Sequence, residues 1–149
     1  MNREIEERIL VLFSIIRNGG AATKKIVLDY LIDNDYIKLV EKDKKILKSR
    51  NEPRWRNMLA YTRQHLKDEG YLESNRYNQW QINLNGYDYY LKTTEGFDKD
   101  YEFEYLSNDF LRDFTNVLFV SSNIIEDAFN DNLNNKNRKN GNYKQKKLM

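Results

Sequence analysis

Lys48, Arg50, Arg54, Arg56, Asn57, Arg63, Gln64 and Lys67 crowd into one short central stretch of the chain, and their functional groups are those that meet nucleic acid. A guanidinium group can donate twice to guanine O6 and N7, an amide can pair with adenine, and Lys or Arg can neutralise a phosphate. The chemistry requires these groups to share a surface. Trp55, Met58, Leu59, Thr62 and Leu66 recur at three- and four-residue steps, so a helix through the stretch turns them to one side and Arg56, Arg63, Gln64 and Lys67 to another. Arg54, Arg56, Asn57 and Gln64 are the candidate base readers. Arg63 and Lys67, with Lys48 and Arg50 from the preceding loop, are the candidate phosphate contacts.

The neighbouring residues say what must position this helix. Pro53 suits its first turn, Asn51 is the expected cap, and Gly70 can take the left-handed conformation that closes it. The chain then alternates through Leu72 and Ser74, and through Trp80, Ile82 and Leu84, around Asn75, Arg76, Tyr77 and Asn78. This pattern predicts a two-stranded hairpin whose tip carries Arg76, Tyr77 and Asn78 towards a minor groove or the DNA backbone. Trp55 and Trp80 are in phase with apolar neighbours and are assigned to core packing, not to base stacking.

The stretch Glu52 to Gly86 contains RWRNMLAYTRQHLKDEGYLE, an Arg/Trp-containing helix ending in a charged pair, Gly and an apolar pair, and RYNQWQINLNG, a basic turn followed by an aromatic strand. In this it resembles the N-terminal winged-helix domain of the Mrr family of modification-dependent restriction systems. The likeness covers about residues 2 to 92 and is strongest from Trp55 to Gly86. Arg76, Trp80, Ile82, Asn83 and Gly86 fall on the pattern of the wing. Asn78 stands in place of the usual wing glycine, Asn83 in place of a threonine, and Tyr61-Thr62 in place of a Trp-Ala pair. The resemblance implies binding of double-stranded DNA, as the targeting module of a restriction enzyme whose nuclease is not in this sequence.

The chain has 149 residues, room for one ordinary domain with an extension. A net charge of +2 is too small to identify a nucleic-acid partner by itself, so the case rests on where the charge lies. Basic residues dominate from Lys38 to Lys48 and on through Arg56, and again from Lys136 to Lys147, whereas acids dominate between Glu95 and Asp113. The lack of cysteine excludes disulfides and thiolate-held metals, and His65, the lone histidine, cannot make a metal site alone. No carboxylate-X-Lys arrangement sits on a convincing core strand, and Gly19-Gly20 is not a dinucleotide fingerprint. No catalytic residue, metal or cofactor is therefore assigned. The apolar run Ile9 to Ile16 is too short to span a bilayer and lacks a basic start, so the expectation is a cytoplasmic protein with no membrane partner.

The expected fold is mainly α with a small β-hairpin, a winged helix-turn-helix with a C-terminal helical extension. Residues 1–92 are the winged domain, 93–106 an acidic aromatic linker, 107–130 a C-terminal helix and 131–149 a basic disordered tail. The first helix covers residues 2–17, with Ile5, Ile9, Leu12, Phe13 and Ile16 inward and Arg3, Glu6, Glu7 and Arg17 outward. Asn18-Gly19-Gly20 stops it, and Thr23 caps a second helix to about Asn34. Tyr36 to Ser49 reads as a short charged helix anchored by Ile37, Val40 and Leu47. Asn85 to Leu91 reads as another helix, with Asn83 available as its cap, broken by Thr93-Thr94-Glu95-Gly96. The stripe Phe110, Leu111, Phe114, Val117, Leu118, Ile124, Ile125 and Ala128 calls for a partner, so the segment Ser107 to Phe129 is a candidate contact for a homodimer or a separate nuclease. Two other readings stay open: a dimeric winged-helix transcriptional regulator, and a non-catalytic protein-interaction adaptor.

Overall fold

The computed structural model describes residues 2–74, 78–98 and 102–117, and its first helix is the one on which the others pack. Helix α1 (Arg3–Arg17) starts at Asn2, whose side chain accepts from the Glu4 amide, and Ile9 to Phe13, Ile15 and Ile16 are all fully buried. Such a run is apolar on every side because neighbours cover it on every side. Glu6 and Glu7, expected outward, are buried as well. The reason lies far along the chain: the Glu6 carboxylate accepts from the backbone amides of Tyr105 at 2.8 Å and Leu106 at 3.1 Å. Helical periodicity does not register a partner so remote.

After Gly19 and Gly20, both at positive φ, come strand β1 (Ala21–Ala22) and helix α2 (Lys24–Asp33), which Thr23 caps by accepting from the Ile26 amide. The charged helix expected over Tyr36 to Ser49 shrinks to α3 (Glu41–Lys44). Ile37 instead forms a bridge with Leu106, Val40 is exposed, and β2 (Ile46–Leu47) pairs antiparallel with β3 (Glu52–Pro53). The apolar residues here serve backbone ladders, not one helical face. Asp43, nearly inaccessible, fixes the segment by accepting from the Val40 amide and from Arg3.

Helix α4 (Arg54–Asp68) begins at Pro53 with no side-chain cap. Asn51 is not the cap, because it sits at φ +53 in the β2–β3 turn, where Asn is one of the few side chains that fit. At the other end Gly70 is at φ +86, with the amides of Gly70 and Tyr71 donating to Lys67 and Leu66 carbonyls, the paired closure that a left-handed residue makes possible. The chain returns as the expected hairpin, Leu72 opposite Ile82. Strand β4 (Trp80–Gln81), next to Ile82, pairs antiparallel with β1 in a small two-stranded sheet.

Helix α5 (Leu84–Glu95) is capped by Asn83, which accepts from the Gly86 amide and donates to the Gly70 carbonyl, tying the end of α4 to the start of α5. Leu84 opens this helix and is exposed, so it is not the last strand residue. A side chain at Gly86 would reach within 2.2 Å of the Tyr71 carbonyl oxygen, so only glycine allows this close approach. The helix also runs through Thr93, Thr94 and Glu95, since the Thr94 hydroxyl donates to the Tyr90 carbonyl and leaves the ladder intact. Phe103, Tyr105, Leu106, Phe110 and Val117 then join the same core as α1, and α6 (Asn108–Asp113) starts at Ser107, which accepts from the Phe110 amide. Phe13 lies at the centre of this aromatic packing, with ring centroids 5.0 Å from Tyr36 and 4.9 Å from Phe110. The apolar stripe from Leu118 onward and the basic tail lie outside the described residues. The fold is mainly helical with two small antiparallel strand pairs, as expected for a mainly α fold with a small β-hairpin, and among the described residues no helix is long and apolar enough to cross a membrane.

Candidate nucleic-acid interface

Helix α4 buries Trp55, Leu59, Thr62 and Leu66, and Trp80 is buried below it, so both tryptophans are core residues. The opposite face is open. Tyr61 and Gln64 are exposed on it, with Arg54, Asn57 and Lys67 partly so. At the N-terminal end of the helix stands the β2–β3 hairpin, whose turn carries Lys48 and Arg50, both exposed. The Arg54 amide donates to the Lys45 carbonyl at 2.8 Å, and Lys24 pairs with Glu52 at 3.0 Å, so the hairpin is fixed against both α4 and α2. Lys48, Arg50 and Arg54 thus gather at one end of the helix. Lys42 and Lys45 stand exposed in the same insert and make no ion pair among the described residues. They belong to the run of excess basic charge from Lys38 to Lys48, which is the signal that marks them.

Arg56 and Arg63 face the flanks. Arg56 reaches across to α2, where Nη1 meets Asp29 at 2.9 Å, and it lies over the Trp55 ring. Lys25 and Arg56 together hold the Asp29 carboxyl below its ordinary range by hydrogen bonding to it. The charge of Arg56 is already answered within the fold.

Arg63 stands differently. It lies over the Trp80 ring, with its guanidinium carbon 5.7 Å from the ring centroid, and one nitrogen makes a long contact of 3.4 Å with the Gln79 carbonyl oxygen. Its Nε is buried with no acceptor, and among the described residues no carboxylate pairs with it. Burial alone pushes its pKa below the ordinary arginine value, the mark of a cation desolvated without an anion beside it. The position is the junction of α4 with the root of the hairpin.

Gln64 donates to Asp68 one turn on, at 2.9 Å. Asn78 is exposed at φ +59, the left-handed conformation that suits an Asn where a wing glycine is usual. Arg76 and Tyr77 lie outside the described residues. His65 is about half exposed, 3.9 Å from Glu4, and among the described residues no group of His, Asp and Glu could hold a metal ion. Tyr61, which spacing alone did not single out for contact, is the most prominent apolar group on the open face.

One comparison places the chain among known proteins. A family model described as the Mrr N-terminal domain matches residues 6–91, more than half of the sequence. No curated protein and no solved structure matches it.

Proposed function

The chain belongs to the Mrr N-terminal domain family, and from that premise we propose that it binds double-stranded DNA as the targeting module of a restriction system. In this reading α4 enters a major groove, with Arg54, Asn57 and Gln64 facing base edges. Lys48 and Arg50 from the β2–β3 turn, and Lys67 from the far end of α4, lie along the phosphates. The 72–82 hairpin flanks them, with Asn78 exposed on it. Arg56 sets the angle of α4 against α2 through Asp29 and is not itself a base reader.

The observation that carries the reading is Arg63. A guanidinium held partly out of water, with a buried donor and no acid, is costly in isolation and is stabilised by an incoming anion through charge-assisted hydrogen bonds. A DNA phosphate beside the wing is such an anion. The test separates the two arginines. Fluorescence anisotropy titrations of a duplex over a range of salt concentrations should show Arg63→Ala weakening binding and lowering the salt slope by about one. Arg56→Ala should leave the slope unchanged while costing about 0.5–1 kcal/mol of stability, as expected for a part-exposed ion pair. An unaltered slope in Arg63→Ala counts against a phosphate at this position, and absence of duplex binding at low salt counts against the proposal as a whole.

A further inference from the structure

The open face of α4 carries an ordered set of groups. Asn57, Tyr61 and Gln64 follow at steps of four and three residues, so they form one outward stripe opposite the buried Trp55, Leu59, Thr62 and Leu66. Tyr61, at the centre of the stripe, keeps 53% of its surface exposed. The arginines that could have competed for this stripe are turned aside, Arg56 to Asp29 and Arg63 to the Gln79 carbonyl. What remains on it is two amides with an aromatic ring between them, and no guanidinium beyond Arg54 at the helix start.

We infer that this stripe reads A·T base pairs, with Tyr61 as the specificity-determining residue that packs on the C5 methyl group of thymine. The inference rests on α4 entering a major groove, as proposed above. Asn and Gln pair in bidentate fashion with adenine N6 and N7, and the thymine opposite that adenine presents a methyl group in the same groove. An aromatic face one turn from each amide meets that methyl with apolar surface, and its burial repays what an exposed ring otherwise leaves in water. Asp68 prepares Gln64 for this role. A carboxylate can only accept, so the bond at 2.9 Å turns the Gln64 amide nitrogen towards Asp68, leaving its second N–H and its carbonyl oxygen for a base.

The experiment uses the full chain and its Tyr61→Ala and Tyr61→Phe variants, each checked for an unchanged circular dichroism spectrum. Selection from a random duplex library at low salt, followed by titration of the enriched duplex with thymine replaced by uracil, reads the methyl contact directly. The wild type should enrich A·T pairs and lose about fourfold in affinity when the methyl is removed, the worth of one buried methyl group. Tyr61→Phe should behave alike, whereas Tyr61→Ala should bind thymine and uracil duplexes equally. Enrichment of G·C pairs, or equal binding of both duplexes by the wild type, overturns the inference and leaves DNA binding standing. If no duplex is retained at low salt, DNA binding itself falls and this inference with it.

Discussion

Helices α1 and α4, each of fifteen residues, pack against one another and treat charge in opposite ways. In α1 two carboxylates turn inward, Glu6 onto the amides of Tyr105 and Leu106 and Glu7 into a nearly closed site beside Arg3 and Asp43. In α4 the buried face is free of charge, and the cations stand on its flanks and ends. A charge fixed to one internal partner belongs to the architecture. A charge left at the rim without a partner is available to something else. Sequence alone makes both helices amphipathic, and only their surroundings separate scaffold from display.

The contrast can be broken at its strongest point by Phe13→Ala. This ring is fully buried and touches Tyr36, Tyr90 and Phe110, so its removal should cost about 3–5 kcal/mol in urea unfolding. A loss below about 1 kcal/mol would mean that α1 is not the element on which the others are assembled. Next is Glu6→Ala, which strands two buried amides and should cost about 2–4 kcal/mol, with Glu6→Gln recovering part of it because an amide oxygen still accepts. Equal stability of all three proteins would make Glu6 as dispensable as a surface acid.

The third effect is a pH dependence, and it sharpens the comparison because α4 should lack it. Burial pushes the Glu7 carboxyl up from 4.5 to about 7, against the pull of Arg3 and with Glu4, Asp43 and Glu6 adding to the rise. Among the described residues its Oε2 accepts no hydrogen bond, with Arg3 Nε 3.8 Å away, and the buried Tyr105 hydroxyl likewise has no hydrogen-bond partner. A carboxyl whose pKa is higher in the folded than in the unfolded chain binds its proton more tightly when folded. Its contribution to stability is therefore fully present below about pH 4.5 and declines as the pH rises through 7, by roughly 2–3 kcal/mol. Unfolding of Glu7→Gln measured across this range should show that decline removed, and a slope identical to the parent's would assign it to another group.

Much of the fold was legible because its signals are local. Thr23 and Asn83 each cap the helix that follows, Gly70 closes α4 in a left-handed conformation, and the apolar faces of α1 and α4 follow from spacing alone. The failures share another cause. Glu6, Asp43 and Ile37 take their places from contacts with residues tens of positions away, and β1 to β3 are two-residue strands too short to leave a period. The candidate site divides the same way. Spacing separated the polar side of α4 from its apolar side, but it could not say that Asp29 engages Arg56, that no acid among the described residues engages Arg63, or that Tyr61 would be left standing outward.

The Glu6 clamp also sets how far the unit can be cut and carried. The family match runs from residue 6 to residue 91, so it opens on the clamp's acceptor and closes before its donors at Tyr105 and Leu106. A cassette trimmed to that match would place a carboxylate in the interior with nothing to receive it, and would uncover the side of Phe13 that Phe110 now shields. Fusion to a foreign nuclease, or transfer into another host protein, should therefore keep the chain through α6.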